Sequence, residues 1–218
     1  RRKQSGTLVY WFKEWLDKND LHEKAQLIMH TDPSDPHGQD LHEIIDHLDL
    51  SSHRQVMLSV QKISPGALAA LYNMADCTVN ISDAEGFGLG TLESLSCGTP
   101  ILVNMTGGLQ EQVTDGQEWF GIGLTPTSKS IIGSQEVPYI YEDRLSKDQF
   151  LSALTKMYKL GTKGRREMGL KGVDHVRKNY NYENFKTSWV KLMDEVHEKF
   201  GSWDTRKHYN GIRFKEVA

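Results

Sequence analysis

Short apolar runs alternate with segments of helical periodicity along most of this chain, and short connections join them. Residues 26–30, 56–60, 77–81 and 101–104 read as buried strands. Between and before them, apolar residues recur at helical spacing: Leu8, Phe12 and Trp15; then Leu41, Ile44, Ile45 and Leu48. Residues 65–73 form a short helix with Pro65 placed early, where its missing N–H matters least, and residues 90–96 form another. Strands that alternate with helices imply βαβ units and a parallel sheet covered on both faces, an α/β fold.

Beyond residue 104, Gly107-Gly108 breaks the chain ahead of a short helix near Gln110. Residues 116–142 are the least regular stretch. Three helices are expected at 146–160, 163–179 and 182–199, the first opened by a capping box of Ser146 and Gln149. The polar tail, 201–218, is assigned no structure, so one domain spans 1–200, with the tail after it. At 218 residues the chain sits between one and two domains, taking about 150 residues for each.

Charge narrows the function. With 26 basic against 29 acidic residues the net charge is −3, a poor basis for a phosphate-neutralising nucleic-acid surface. No run approaches a membrane span, and the opening RRKQSGTLVYW lacks a signal-peptide core. Cys77 and Cys97 lie in apolar surroundings and make no disulfide framework. A soluble, cytoplasmic chain is expected.

The chemistry concentrates in residues 82–100, SDAEGFGLGTLESLSCGTP. Gly86, Gly88 and Gly90 fill the turn from the third strand to its helix, where glycine lets a ligand approach the main chain closely. Free N–H groups and the positive dipole end at a helix start suit a phosphate. The turn also lies beyond the carboxyl end of a parallel strand, where open α/β sheets bind ligands. Glu85 and Glu93 bracket it, eight residues apart. Acids beside a phosphate site make sense if they hold vicinal diols, which points to a nucleotide-sugar with one glutamate for ribose and one for hexose. The plainer alternative is a first-turn acid favoured by the helix dipole at Glu93 and a solvated loop charge at Glu85.

The run from Ala75-Asp76 through Ser82, Glu85-Gly-Phe-Gly-Leu and Glu93 to Cys97-Gly-Thr-Pro100 closely resembles the retaining glycosyltransferases of family 4, which have the GT-B fold. Gly107-Gly108-Leu-Gln-Glu111, Asp115-Gly116 and the upstream Lys62-Ile-Ser-Pro-Gly-Ala-Leu-Ala-Ala-Leu-Tyr72 resemble the flanking signatures. The resemblance implies the second, donor-binding Rossmann-like domain, a parallel sheet with helices on both faces. It implies that Glu93 holds the ribose and that Glu85 meets the hexose near the anomeric carbon as the catalytic-site acid. Phe87, Gly88, Leu89, Gly90 and Thr91 would meet the diphosphate or sugar, and the Lys62-Ile63 loop the base. Lys3 resembles a phosphate-binding lysine. The arginine that accompanies it in the family, the first strand and the acceptor domain would all precede residue 1. The chain is thus expected to be a fragment with a gap beside residues 27–29, binding donor weakly and transferring poorly alone. Gly90 departs from the family, which often has proline there.

The implied activity is hexose transfer from a nucleotide diphosphate-sugar to a hydroxyl acceptor by a front-face route, without a metal or other cofactor. A nucleotide-sugar epimerase or phosphorylase of the same fold, or a non-catalytic nucleotide-sugar-binding module, remains the alternative. Partners implied are the donor and the acceptor domain, with no nucleic acid; peripheral membrane contact through the parent enzyme stays open.

Other candidates read more plainly. His30, Asp32, Asp35 and His37 suit a turn better than a divalent-metal site, Cys97 a buried thiol better than a nucleophile, and residues 163–178 a solvated basic face better than a site for an acidic partner or an anionic membrane surface. Trp119, Phe120, Tyr139 and Tyr141 either stack on a sugar or form core beneath a long loop.

Overall fold

The computed structural model describes residues 2–50 and 55–208. Arg1 and residues 209–218 of the tail lie outside the described residues. The chain divides into two compact units, Arg1–Val176 and Arg177–Ala218.

In chain order the first unit runs α1 (Ser5–Asn19), β1 (Leu27–His30), α2 (Leu41–His47), β2 (Val56–Ser59), α3 (Pro65–Met74), β3 (Thr78–Asn80), α4 (Leu89–Ser96), β4 (Ile101–Asn104) and α5 (Leu109–Val113). It continues with β5 (Gly121–Leu124), β6 (Ser128–Ile131), β7 (Tyr141–Arg144), α6 (Lys147–Lys159) and most of α7 (Gly161–Asn179). Side-chain caps start several helices where the sequence offers them. Asp40 accepts from the amides of His42 and Glu43 at the head of α2, and Ser64 from Ala67 ahead of Pro65 in α3. Ser146 stands at the N-cap of α6, but its hydroxyl makes no cap bond, so the expected capping box does not form; Asp148 supplies the acid of that first turn.

The strands pair in parallel, as the α/β alternation requires. β1 lies beside β2, with Leu27 opposite Val56, and β3, β4 and β5 form a second set with β4 in the middle. Among the described residues no strand covers the second edge of β1 or of β3. This break borders residues 27–30, beside which the family resemblance leaves a gap. β6 and β7 make a separate antiparallel hairpin, Ser128 opposite Arg144, within the stretch that read as irregular.

Helices cover both faces of the sheet, and β4 shows why. It is buried along its whole length, and its alternate residues enter different cores. Leu102 joins Val9, Phe12, Trp15 and Leu16 of α1, Leu41 and Ile45 of α2 and Phe150 of α6. Ile101 and Val103 join Leu95 of α4, Leu109 and Val113 of α5 and Phe120. A strand buried at every position is the signature of a parallel sheet sandwiched between helices.

The second unit holds the end of α7 and α8 (Tyr182–Phe200), capped by Asn181, which accepts from the Asn184 amide at 2.9 Å. Phe185, Trp189, Met193, Val196 and Phe200 recur along α8, and all are exposed. Residues 201–208 contain no helix or strand. No described helix is long and apolar enough to cross a membrane.

Candidate functional site

The corner between β3 and α4 is built from within. Asn104, at the end of β4, donates its side-chain N–H to the Ser82 carbonyl at 2.9 Å, and Asn80 Oδ1 accepts the Ser82 amide at 3.0 Å. Gln112 of α5 donates to the Phe87 carbonyl at 2.6 Å and accepts the Thr91 hydroxyl at 2.6 Å. The Gly108 amide donates to the Gly86 carbonyl at 3.0 Å. Gly107 and Gly108 lie so close to this loop that a Cβ on Gly107 would fall 1.6 Å from the Glu85 carbonyl oxygen, and one on Gly108 2.7 Å from that of Phe87. Only glycine permits that approach. Gly88 is the left-handed N-cap of α4, with φ 87°, and is buried against Leu109.

The helix thus opens at Leu89, one residue earlier than the sequence suggests. Leu92 donates the first helical bond, to the Gly88 carbonyl at 3.3 Å, so the amides of Leu89, Gly90 and Thr91 precede the ladder. Phe87, Leu89 and Gly90 are exposed, whereas Thr91 is buried and its hydroxyl is spent on Gly88 and Gln112. What Thr91 can offer an anion is its amide.

The two glutamates have different surroundings. Glu85 is paired with the Lys3 ammonium, and Arg2 Nη1 stands 3.7 Å from the same carboxylate oxygen. Partial burial pushes the Glu85 carboxyl upward, but hydrogen bonding and attraction from Lys3, then Arg2 and Asn80, outweigh it and hold the group below the usual carboxylate value. Glu93, one turn into α4, is exposed and accepts the Tyr72 hydroxyl at 2.9 Å. Burial, reinforced by Glu93, raises the Tyr72 phenol well above its ordinary range.

The structure therefore joins Lys3 to Glu85, and Gly88 to Thr91 through Gln112, while Glu93 is joined to Tyr72. Ile63 is half-buried just ahead of α3, the helix that carries Tyr72. Tyr72, Gln112, Arg2 and Gln4 were not singled out as site residues. Nor was Asp83, which is buried and takes a bond from Gln4 and an ion pair from Arg144. Their partners lie 21 to 82 residues away, beyond any local pattern.

The remaining candidates resolve structurally. Asp32 and Asp35 accept the amides of Ser34 and His37 two residues on, at 3.0 and 2.8 Å, which is turn chemistry. Among the described residues, no three His, Cys, Asp or Glu side chains are grouped to hold a metal. Cys97 is only half-buried, not fully enclosed; desolvation and Glu93 still raise its thiol pKa. Phe120 is core, stacked on His175 at 4.3 Å, but Trp119, Tyr139 and Tyr141 are exposed, so the aromatic group is not one cluster beneath the loop. On α7, Lys163 faces Glu167 at 4.0 Å in an open setting, and Lys171 pairs with Glu118.

Residues 8–165 match the family model described as "Glycosyl transferases group 1". A D-inositol 3-phosphate glycosyltransferase of Streptosporangium roseum is 51% identical over 49 residues, 22% of this chain and 11% of that protein. Sucrose-phosphate synthase from Thermosynechococcus elongatus superposes with a TM-score of 0.65 at 22% identity, over 91% of this chain and 43% of that one. Anabaena HepE, solved in complex with UDP and glucose, gives 0.62 at 14% identity, over 89% and 45%. The chain spans less than half the length of these proteins, whose GT-B fold it shares.

Proposed function

Because this chain belongs to the group 1 glycosyl transferases, we propose that it is the donor-binding part of a retaining enzyme of family 4. The enzyme transfers a hexose from a nucleotide diphosphate-sugar to a hydroxyl acceptor. The diphosphate lies on the amides of Leu89, Gly90 and Thr91 beside the Gly88 turn. Glu93, oriented by Tyr72, holds the ribose hydroxyls; Glu85 meets the hexose; the main chain at Lys62-Ile63 meets the base.

The observation that carries the reading is the pairing of Lys3 with Glu85 beside a helix start whose first three amides precede the ladder. An acid and a base so placed serve a sugar hydroxyl and a phosphate in one ligand. As the sugar–phosphate bond breaks, charge gathers on the departing diphosphate, and fixed donors aimed at it lower the barrier. Lys3, Arg2 and the α4 dipole supply that positive field, so the reading needs no metal. In a front-face route the leaving phosphate also helps take the acceptor's proton, and the protein contributes position and charge.

HepE, solved with UDP and glucose, supports a nucleotide-sugar as the ligand class. The reading includes an acceptor-binding domain in the remainder of the protein, supported by the chain's covering 43% of sucrose-phosphate synthase. It also includes a cytoplasmic location, in keeping with two unpaired cysteines. Calorimetric titration with UDP, GDP and their sugars tests it. One nucleoside diphosphate should bind and Glu93→Ala should abolish the heat; absence of binding by either nucleotide overturns the proposal.

A further inference from the structure

Building on the donor-site reading, which it requires, we infer that Asp83 is a positioning residue: through Gln4 and Arg144 it locks the segment ahead of α1 against the glycine corner, so that Lys3 and Glu85 stand together where the diphosphate binds.

Arg2 and Lys3, both exposed, lie ahead of α1, and Gln4 is its N-cap, whose carbonyl accepts the Leu8 amide at 2.9 Å. Each of the three is tied to one of three successive residues across the corner: Arg2 Nη1 donates to the Ala84 carbonyl, Lys3 to the Glu85 carboxylate and Gln4 Nε2 to the Asp83 carboxylate. The Asp83 amide adds a main-chain bond to the Arg2 carbonyl at 3.0 Å.

Of the three acceptor residues, Asp83 is the enclosed one, 4% exposed. A carboxylate in that setting persists only with its charge met and its lone pairs satisfied. Arg144 of β7 meets the charge, held in turn by Glu142 at 2.8 Å, and the Asp143 amide donates to the Asp83 carbonyl at 2.8 Å. Asp83 therefore joins the β6–β7 hairpin on one side to the Lys3 segment on the other. Enclosed as it is, it acts on a ligand through Lys3 and Glu85.

Asp83→Asn in the full chain tests this with two readouts. The first is the Glu85 carboxyl, followed by carbon-detected NMR as pH is lowered. Removing a neighbouring negative charge would by itself lower the Glu85 pKa, whereas loss of its Lys3 partner raises it; a rise is expected. The second compares nucleoside diphosphate with bare nucleoside. Affinity for UDP or GDP should fall about tenfold, as for one lost charge-assisted hydrogen bond, with uridine or guanosine affinity unchanged. Gln4→Met, which alters no charge, should give both changes and decides the matter if Asp83→Asn does not fold. A folded Asp83→Asn whose Glu85 pKa falls or stays put, or which loses nucleoside and diphosphate affinity equally, overturns the inference. Wild type that binds neither UDP nor GDP overturns the donor-site reading and this inference with it. Wild type that binds, with Asp83→Asn binding equally well, overturns this inference alone.

Discussion

Gly107 and Gly116 offer a paired test of how the corner is shaped. Both have positive φ, 51° and 91°, so alanine at either position carries the left-handed penalty of about 1–2 kcal/mol, offset by roughly 0.4–1 kcal/mol from a stiffer unfolded chain. They differ in what a Cβ would meet. At Gly116 nothing lies within 4 Å; at Gly107 the Glu85 carbonyl oxygen lies at 1.6 Å. Real Cβ contacts essentially never fall under 3.0 Å, so main chain must separate by some 1.4 Å (3.0 minus 1.6). Overpacking of that kind costs about 1–3 kcal/mol more, and the segment displaced is the one carrying Glu85. Gly116→Ala should therefore cost no more than about 1.6 kcal/mol, and Gly107→Ala about 1–4.6 kcal/mol. Urea unfolding reads both as a fall in midpoint at constant slope. Gly107→Ala should also weaken nucleoside diphosphate binding where Gly116→Ala does not. Equal destabilisation by the two would refute the reasoning, because backbone strain alone would then account for both.

Further outcomes follow from named groups. The folded-state pKa of Glu85 is lowered, so the stability it contributes is present above its unfolded value, about 4.3, and is lost as pH falls through the folded one; the cost of Glu85→Gln, measured by denaturant unfolding, should be largest near neutral pH and vanish in acid. In alkaline titration by ultraviolet absorbance, the band lost in Tyr72→Phe should ionise well above the ordinary phenol range. Glu93→Gln should bring it down only in part, because burial is the larger cause. Phe150→Ala empties a fully buried site beside the Trp11 ring, 5.5 Å between centroids, and should cost about 3–5 kcal/mol in thermal or urea unfolding.

The elements that the sequence makes legible are those whose side chains face one environment. α1 shows its apolar spacing because Val9, Phe12 and Leu16 enter a single core. β5 was missed for a related reason. Its run Gly-Ile-Gly-Leu looks like loop, yet the glycines are there because neighbouring atoms crowd the strand: a Cβ at Gly121 would lie 2.0 Å from the Ile101 carbonyl, and one at Gly123 2.7 Å from Met105 Sδ. The β6–β7 hairpin was hidden because its apolar residues Ile131 and Tyr141, opposite each other, are exposed while Glu142 is buried, the reverse of the pattern that marks a strand. At the site, the glycine corner and its two acids were readable as a local motif. What each acid touches was not: the pairing of Lys3 with Glu85 spans 82 residues, and that of Tyr72 with Glu93 spans 21.

The most direct measurement of the central claim is a nitrogen–proton spectrum of the chain titrated with UDP and GDP, with uridine and guanosine as controls. If the corner grips a diphosphate, the Leu89, Gly90 and Thr91 amide resonances move with the nucleotide that binds and stay still with its nucleoside. Nucleotide binding that leaves these three amides unmoved would contradict it.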